Sequence, residues 1–371
     1  MRARYDFTVI GAGIAGASVA AELAADASVL LLDKEPQPGY HSTGRSAAYF
    51  SASYGSAAVR AATAASESFF RSPPAGFTET PLLRLRDTLF VARQDQLPQL
   101  SAFKREISGL KEISGPDAIL RVPILDADSV AAGLLETGGG DLDVDATLQG
   151  FLRLLHERGG VLHCQQEVEA LSKRSGGWLV TTADRAFACE TLINAAGSWA
   201  GELGRLAGLG DLGITPKRRT ALLLRLPAQR FDADWPLVVD IDEEFYFKPD
   251  AGLLLLSPAD ETPSAACDAQ PEEWDIALAM DRFQRASTLR ISRIEHKWAG
   301  LRSFAADREF VVGSDPRDKS FFWLAGQGGY GVQTAPGLAK LSAALLFDAA
   351  DRRPVQMAPF LELIAPERLI Q

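Results

Sequence analysis

The chain has 371 residues, 47% of them hydrophobic and 23% charged, with a net charge of −10. This length predicts two domains, and the negative charge argues against a general nucleic-acid-binding surface. No apolar run approaches the roughly 18 residues that span a bilayer. The 3 Cys and 4 His residues have neither disulfide nor metal-ligand spacing, so no metal site is predicted. A cytoplasmic location is expected, with peripheral membrane contact left open.

The N-terminus has the pattern of a dinucleotide-binding βαβ unit. A short strand, "FTVI", precedes "GAGIAG", which places Gly11, Gly13 and Gly16 in G-x-G-x-x-G spacing before an Ala-rich helix. A second apolar run ends at Asp33, about 20 residues after the first glycine, where an acid can bind ribose hydroxyls. The helix N-terminus offers free N–H groups to phosphates. The motif predicts a dinucleotide, but it does not separate NAD from FAD.

Further along the chain, periodicity predicts alternating helices and strands. Helices are predicted at 56–72, 96–111, 126–134, 141–160 (with Asp145 as N-cap) and 271–291. Strands are predicted at 87–93, through 161–197 and in several alternating runs over 216–260. Residues 320–347 have the composition of a strand, a glycine-rich turn and a helix.

These elements predict a dinucleotide-binding domain in three pieces. The pieces are 1–55, 145–215 and 300–371, while 56–144 and 216–299 form a substrate-binding domain rich in antiparallel strands. The fold class is therefore α/β with an α+β insert: a Rossmann-like domain carrying an inserted, mostly antiparallel β domain. A simple Rossmann dehydrogenase does not have this split layout.

Several longer strings resemble the D-amino-acid-oxidase-like family of FAD-dependent oxidoreductases, and within it the bacterial D-arginine dehydrogenases. They are "VIGAGIAGAS", "QPGYHSTGRSAA", "PPAGF", "NAAG", "PKRR", "KPDAG", "WAGLRSF" and "QGGYG", in order along the whole chain. The resemblance implies a glutathione-reductase-like FAD-binding fold and FAD as the cofactor. Non-covalent attachment is expected, because no cysteine lies in these strings.

The resemblance also implies which residues hold FAD. The polar segment from His41 to Ala48 would wrap the cofactor with backbone N–H groups, hydroxyls and one arginine, and Val168 would be the strand residue beside adenine. The full set implied is Gly11, Gly13, Ile14, Ala15, Gly16, Asp33, Lys34, His41, Ser42, Thr43, Arg45, Ser46, Ala47, Ala48, Val168, Ala196, Gly197, Gly331, Val332, Gln333 and Thr334. The last four would begin a helix whose N-terminus stabilises negative charge on the reduced flavin.

A second group of positions matches a substrate site. Arg219 and Arg302 lie in apolar, strand-like runs, and a guanidinium has the planar fork that binds a carboxylate. Tyr54 and Tyr246 would add phenol hydrogen bonds, and the Gly329 carbonyl would accept the substrate amine. The implied reaction transfers a hydride from Cα to flavin N5, after which the imino acid hydrolyses to a 2-oxo acid and ammonia. No strong side-chain base is evident, so orientation and electrostatics would carry catalysis.

Three pocket positions depart from the arginine-specific pattern. Thr88 stands where a glutamate would bind a guanidinium, Tyr49 where a histidine is expected and Ser51 where a threonine is expected. Asp87 is adjacent to Thr88, but neighbouring side chains on a strand point to opposite faces. A neutral pocket binds an aliphatic or aromatic side chain better than an unpaired guanidinium. A D-amino-acid dehydrogenase that prefers neutral or hydrophobic substrates is therefore predicted.

Other substrates and partners stay open at this point. A 2-hydroxy acid, a sarcosine-like secondary amine or a proline-like imino acid would also present a carboxylate to two arginines. A non-catalytic flavin-binding protein is the alternative from another class. The electron acceptor is a quinone or another carrier, or oxygen, and the sequence does not choose among them. No nucleic-acid partner is predicted, and a monomer is the expected state.

Overall fold

A computed structural model describes residues 4–291 and 293–370, and its twenty strands form three sheets. The strands are β1 (Arg4–Ile10), β2 (Val29–Leu32), β3 (Tyr49–Phe50), β4 (Leu83–Leu85), β5 (Thr88–Ala92), β6 (Lys111–Ser114), β7 (Ala132–Glu136), β8 (Gly140–Leu142), β9 (Val161–His163), β10 (Ala170–Arg174), β11 (Gly177–Thr181), β12 (Ala186–Asn194), β13 (Thr215–Leu224), β14 (Leu237–Asp240), β15 (Tyr246–Asp250), β16 (Leu253–Ser257), β17 (Thr262–Pro263), β18 (Ile294–Phe304), β19 (Val311–Asp315) and β20 (Asp318–Ala325). The helices are α1 (Ile14–Leu23), α2 (Ala57–Arg71), α3 (Leu97–Glu106), α4 (Gly115–Arg121), α5 (Val144–Glu157), α6 (Ala200–Leu206), α7 (Glu273–Ala286), α8 (Gly331–Leu346) and α9 (Leu361–Ile364).

The first sheet contains the N-terminal motif. Its parallel strands run in the order β9-β2-β1-β12-β20, and β10, β11 and β19 extend it with antiparallel pairs. All four residues of β2 are buried, as expected for a parallel strand covered on both faces. Helices α1, α2, α5 and α8 pack together on one side of this sheet. The carboxyl ends of β1 and β12 therefore meet the start of α1, which is where a dinucleotide binds in such sheets.

The second sheet is mostly antiparallel and has two unlike faces. Its strand order is β17-β13-β16-β15-β14-β5-β7-β6, with β18 on β13. Leu89, Val238 and Phe247 face one side and pack against α4 and α7 in an apolar core. Because side chains alternate along a strand, their neighbours Thr88 and Tyr246 face the other side, toward a cavity. The third sheet is small, with the order β3-β8-β4.

The strands of the first sheet fall within 1–55, 145–215 and 300–371. The strand β18 of the second sheet crosses the position proposed as a boundary at residue 299, and α2 packs against α8 in the core beside the first sheet. The domain boundaries themselves stay a prediction. The combination of a Rossmann-like sheet with a mostly antiparallel second sheet is confirmed.

Four local predictions differ from the structure. Residues 132–136 form the strand β7 instead of helix, since this short apolar run is buried between β5 and β6. Helix α3 ends at Glu106, before the positive-φ turn at Gly109. The N-cap of α5 is Asp143, whose carboxylate accepts a hydrogen bond from the Ala146 N–H at 2.8 Å, not Asp145. Val168 precedes β10 and lies in extended connecting chain.

In the described residues, no helix is both long and apolar enough to cross a membrane. Within the same residues there is no group of three His, Cys, Asp or Glu side chains arranged to hold a metal ion. All three cysteines are free thiols.

Candidate active site

Two cavities of about 420 and 460 Å³ meet between the two large sheets. The first cavity extends from the glycine motif of β1–α1 to the second sheet, and the second continues from there toward the surface. Residues that border both cavities mark the junction: Ser46, Ala47, Arg219, Tyr246, Arg302, Gly329 and Val332. The junction is therefore where a molecule in one cavity would touch a molecule in the other.

The turn between β1 and α1 forms one end of the first cavity. Gly11 has φ +102°, and a Cβ atom there would lie 2.5 Å from the Ala195 carbonyl oxygen, so only glycine fits. A Cβ at Gly16 would lie 1.8 Å from the Gly11 oxygen. Gly13 is the N-cap of α1 and supplies no capping side chain. The Thr43 hydroxyl accepts a hydrogen bond from the Ile14 N–H at 3.0 Å and so closes the cap from a distant loop.

The acid after β2 is held by backbone N–H groups. One Asp33 carboxylate oxygen accepts from Ala12 at 2.6 Å, and the other accepts from Glu35 at 2.8 Å. Burial raises the pKa of Asp33, although both hydrogen bonds lower it. Beside it, the Lys34 ammonium lies 3.6 Å from the centre of the Trp199 ring. This end of the cavity therefore presents a fixed carboxylate together with a flat aromatic surface.

The His41–Ala48 segment is tied to the second sheet by side chains. Ser42 donates to the Leu301 carbonyl at 2.6 Å. Arg45 donates to the Ala269 and Ala299 carbonyls at 2.9 and 3.1 Å, and it also pairs with Asp268. The predicted cation of this segment borders the cavity, but its charge is shared with these partners. Its placement indicates that Arg45 fastens the segment to the second sheet.

Most residues predicted to hold the cofactor do border the first cavity. They are Gly11, Gly13, Ile14, Ala15, Asp33, Lys34, His41, Ser42, Thr43, Arg45, Ser46, Ala47, Val168, Ala196, Gly197, Gly331 and Val332. Four do not. Ala48 and Gln333 border the second cavity instead, and Gly16 and Thr334 are packed behind the walls. The Gln333 amide is engaged by Thr63 at 2.9 Å and by the Ser51 N–H at 3.2 Å.

All eight residues predicted for the substrate side border the second cavity: Tyr49, Ser51, Tyr54, Thr88, Arg219, Tyr246, Arg302 and Gly329. Strand register explains the two arginines. In the β13–β18 pair, Arg302 is opposite Lys217, and Arg219 is two residues further along β13. Cross-strand partners share a face, so both guanidinium groups lie on the cavity face. Arg218, on the opposite face, pairs instead with Asp275 of α7 at 2.9 Å.

The phenols at the junction differ in their electrostatic surroundings. Burial raises the pKa of Tyr54, which keeps it a hydrogen-bond donor at neutral pH. Burial also works to raise the pKa of Tyr246, but the charges of Arg302 and Arg219 outweigh it, so the net shift is downward. Burial opposes the charge of Arg302, yet the two tyrosines hold its pKa above the usual range. The junction is therefore strongly positive and favours an anionic ligand.

The three pocket residues that depart from the arginine-specific pattern are held by hydrogen bonds within the protein. Thr88 donates to the Tyr49 phenol at 3.3 Å, and that phenol donates to the Arg86 carbonyl. The Ser51 hydroxyl donates to the buried Glu136 carboxylate at 2.7 Å. Asp87 borders neither cavity. The predicted guanidinium-binding position is thus occupied by a neutral threonine–tyrosine pair.

Comparison with known proteins identifies the family. The chain matches "DAO: FAD dependent oxidoreductase" over residues 6–345. It belongs to this family. Glycine oxidase of Geobacillus kaustophilus is 24% identical and the match covers 97% of both chains. FAD-dependent oxidoreductase domain-containing protein 1 of Mus musculus is 26% identical over 47% of this chain, and the match spans only 38% of that relative's length.

Solved structures show the same fold for this oxidoreductase. The crystal structure of glycine oxidase from Geobacillus kaustophilus has a TM-score of 0.83 at 21% identity, with 100% of both chains covered. L-proline dehydrogenase from P. horikoshii also has a TM-score of 0.83, at 20% identity, with 99% of this chain and 98% of that one covered. The predicted family and fold are confirmed. A particular similarity to D-arginine dehydrogenases is not among these findings.

FAD is the cofactor of the oxidoreductase, and the first cavity fits it. Two buried polar atoms on its wall, His41 Nδ1 and Gln327 Nε2, have no hydrogen-bond partner within the described chain. A flavin dinucleotide carries ring, ribose and phosphate oxygens that can satisfy such groups, and the α1 N-terminus suits its pyrophosphate. Gln327 was not predicted from the sequence as a cofactor-binding residue, although it lies in the "QGGYG" string.

Other residues of the oxidoreductase's site also escaped sequence reasoning. Tyr330 packs edge-on against Tyr54, with 4.8 Å between ring centres, and borders the second cavity. Its position in "QGGYG" was a usable signal. Arg308 borders the same cavity, and Glu261 contacts Arg219 from behind. No local pattern marks these two, because each lies in a turn of ordinary polar composition.

Proposed function

We propose that this oxidoreductase is a dehydrogenase that oxidatively deaminates D-amino acids with neutral or hydrophobic side chains. The observation that supports it most directly is the pairing of Arg219 and Arg302 on one sheet face, at the junction of the cofactor cavity with a second cavity. A carboxylate bound by these arginines would place its α-carbon at the edge of the cofactor cavity.

The wall beyond the arginines supports a neutral side chain. It is formed by apolar residues of β5, β14 and α3 together with a neutral polar pair; these residues are Phe90, Leu237, Val239, Phe103, Thr88 and Tyr49. Apolar burial of a substrate side chain contributes about 0.8 kcal/mol per methylene, whereas an unpaired guanidinium there would lose its hydration.

Five acidic residues also border this cavity: Glu106, Asp240, Glu243, Asp307 and Glu309. Glu106 pairs with Arg60 at 2.9 Å, and Glu309 accepts a hydrogen bond from Ser56 at 2.8 Å. Asp240 accepts two hydrogen bonds from Gln96, each at 3.1 Å. These three carboxylates already have partners, as does Asp307, which pairs with Arg368 at 2.6 Å. Glu243 is exposed, so it does not occupy the buried position of Thr88, where the glutamate is expected.

The chain's residues would act by binding and orientation. Arg302 and Arg219 neutralise the substrate carboxylate, Tyr54 and Tyr246 donate hydrogen bonds to it, and Gly329 lies beside the amine. When bound, FAD would supply the acceptor for the hydride (one proton with two electrons) that the α-carbon releases as the deprotonated amine forms the C=N bond. The imino acid that leaves is hydrolysed to a 2-oxo acid and ammonia. Tyr54 and Tyr330 pack edge-on beside this position, with 4.8 Å between ring centres.

A second candidate function is oxidation of glycine or a secondary-amine acid. The relatives named glycine oxidase and L-proline dehydrogenase support it, since both names describe amino acids bearing a carboxylate. The large apolar wall of the second cavity favours the first candidate, because glycine would leave it unfilled. From the sequence we further propose a quinone or another carrier as the electron acceptor, a monomeric state and a cytoplasmic location.

The deciding experiment is anaerobic reduction of the purified holoprotein, followed by visible absorbance. D-Leu, D-Met, D-Phe, D-Arg, their L-enantiomers, glycine, sarcosine and 2-hydroxy acids are tested separately. We expect neutral D-amino acids to bleach the flavin band and their L-forms not to. A higher kcat/KM for D-Arg than for D-Leu, D-Met and D-Phe contradicts the neutral pocket. Bleaching by glycine or sarcosine alone supports the second candidate.

A further inference from the structure

One carboxylate behind the substrate site is shared by three cations. The Glu261 oxygens lie 3.1 Å from the Lys217 ammonium and 3.3 Å from Nη2 of Arg219. Both terminal nitrogens of Arg308 also reach it, at 2.7 and 2.8 Å, in a two-point pair. Glu261 does not border either cavity, but Arg219 and Arg308 both border the second one.

These contacts occupy a particular edge of Arg219. Nε donates to the Asp260 carbonyl at 2.8 Å and Nη2 to Glu261, so the side edge of the guanidinium is bound to protein. The Asp260 carboxylate is fixed in turn by the Thr220 N–H at 2.7 Å. The end of the guanidinium that carries Nη1 has no partner within the described chain. Only this end is left to meet a carboxylate in the cavity.

Charge compensation accompanies this geometry. Lys217, Arg219 and Arg302 lie on one face of β13 and β18, and like charges so close repel one another. Glu261 neutralises part of that charge without blocking the cavity. Hydrogen bonds from Arg308 lower the pKa of Glu261 to about 2, despite an opposing effect of burial. The carboxylate is therefore ionised at every pH suited to an assay.

We propose that Glu261, fixed by Arg308, is a positioning residue for substrate capture that acts through Arg219. It holds the side edge of Arg219 and turns the free end toward the substrate carboxylate. This inference rests on the proposed function only in assigning that carboxylate to Arg219. It predicts that substitution of Glu261 changes KM and leaves the chemical step, read from kcat, intact.

The backbone conformation at Arg308 supports a specific role for the Arg308–Glu261 ion pair. Arg308 has φ +66°, in the left-handed region that favours glycine. An arginine at such a position is strained, yet its guanidinium makes the two-point contact with Glu261 and lies 4.4 Å from the centre of the Phe304 ring. Arg308→Gly therefore removes the side chain and relieves the strain, and this variant is expected to fold.

The test compares Glu261→Gln with Glu295→Gln. Glu295 is a matched control: it lies on β18, pairs with Arg225 at 2.7 Å and Arg293 at 3.2 Å, and borders neither cavity. We expect Glu261→Gln to raise KM about tenfold, the size of one charge-assisted hydrogen bond, with kcat within twofold and FAD content unchanged. Arg308→Gly should raise KM by a smaller factor, and Glu295→Gln should change neither constant.

A binding measurement separates this inference from the proposed reaction. 2-Methylalanine has no hydrogen on its α-carbon and cannot be oxidised, so its Kd, read from the flavin absorbance, reports binding without turnover. Propanoate, which lacks the amine, is a second probe and reports carboxylate capture alone. The Kd should rise in Glu261→Gln by the same factor as KM. If the wild type binds these probes but oxidises no D-amino acid, the proposed function fails while Kd still decides the role of Glu261.

Coupling to Arg219 supplies the last control. In an Arg219→Met background, Glu261→Gln should produce no further rise in Kd, because its effect passes through Arg219. An equal rise in both backgrounds assigns Glu261 to something else and overturns the proposal. The proposal is also overturned if Glu261→Gln and Arg308→Gly both bind the probes with the same Kd as the wild type. It is equally overturned if the wild type binds neither probe.

Discussion

The two cavities of this FAD-dependent oxidoreductase are lined by different chemistry. The cofactor cavity presents glycines, small hydroxyl side chains and backbone N–H groups, and its Asp33 carboxylate is held by two such N–H groups. The second cavity presents arginines and tyrosines, of which Arg219, Tyr246 and Arg302 extend from sheet strands. A polyphosphate-bearing cofactor needs close backbone approach, whereas recognition of a small acid needs a few charged side chains in fixed orientation.

The two cavities also differ in which substitutions they tolerate. A change in the cofactor cavity acts through space and backbone shape, so even one added methyl group has nowhere to go at Gly11 or Gly16. A change in the second cavity acts through charge and leaves the backbone alone. The following substitutions use this difference, from the largest expected effect to the smallest.

Arg302→Met tests the second cavity most severely. Loss of two charge-assisted hydrogen bonds to the substrate carboxylate should lower kcat/KM about 10²–10³-fold, mainly through KM, with FAD still bound. Steady-state kinetics and the ratio of visible to ultraviolet absorbance measure the two quantities. Arg225→Met, an exposed ion-pair partner just after the end of β13, is the matched control. Unchanged kinetics for Arg302→Met would remove this residue from the site.

Gly13→Val tests the cofactor cavity. A Cβ atom at this position lies 3.2 Å from the Thr43 hydroxyl, and the larger side chain stands where the pyrophosphate approaches. We expect most FAD to be lost on purification, and the activity that remains to fall about a hundredfold through misplaced cofactor. The loop variant Gly76→Asn should retain FAD, because a Cβ there meets nothing within 4 Å and asparagine tolerates the φ of +79°. Full FAD content in Gly13→Val would contradict the placement of the pyrophosphate.

Thr88→Glu should convert the pocket toward basic substrates. It adds a carboxylate at the end of the second cavity, beside the Tyr49 phenol, where a guanidinium can pair with it. The ratio of kcat/KM for D-Arg over D-Leu should rise about tenfold or more. Thr88→Gln introduces a side chain of nearly the same shape as Thr88→Glu but without the charge. It should leave the D-Arg to D-Leu ratio within about threefold of the wild-type value. Equal ratios in the two variants would show that charge at this position does not select substrates.

Acid titration gives the smallest expected effect. The pKa of Glu261 is lowered in the folded state to about 2, so its contribution to stability is present above its ordinary pKa of 4.5 and is lost as pH falls toward 2. Because the carboxylate is partly exposed, we expect a contribution of only about 1 kcal/mol after solvent screening. Between about pH 5.5 and pH 3.5 (about one pKa unit on either side of the ordinary value) the wild type should lose more unfolding free energy than Glu261→Gln. Parallel losses in urea titrations would contradict this.

Sequence reasoning was strongest where the decisive contacts are local. Gly11, Gly13 and Asp33 fall within one βαβ unit, and the structure places all three on one cavity. It was weakest for short apolar runs: residues 132–135 have no periodicity that separates helix from strand, and burial between two strands decided for β7. The N-cap of α5 shows the same limit, because Asp143 and Asp145 are equivalent in composition and only backbone geometry selects the first.

The sequence by itself determined the family, the FAD-binding motif and the two arginines of the candidate site, because each belongs to a string whose spacing is set along the chain. Only the tertiary structure decided how those arginines are held. Glu261 is 42 residues from Arg219 and 47 from Arg308, and these three meet because β13 pairs with β17, which follows Glu261, and with β18, which precedes Arg308. Contacts at such separation depend on strand pairing across the sheet, which no local pattern encodes.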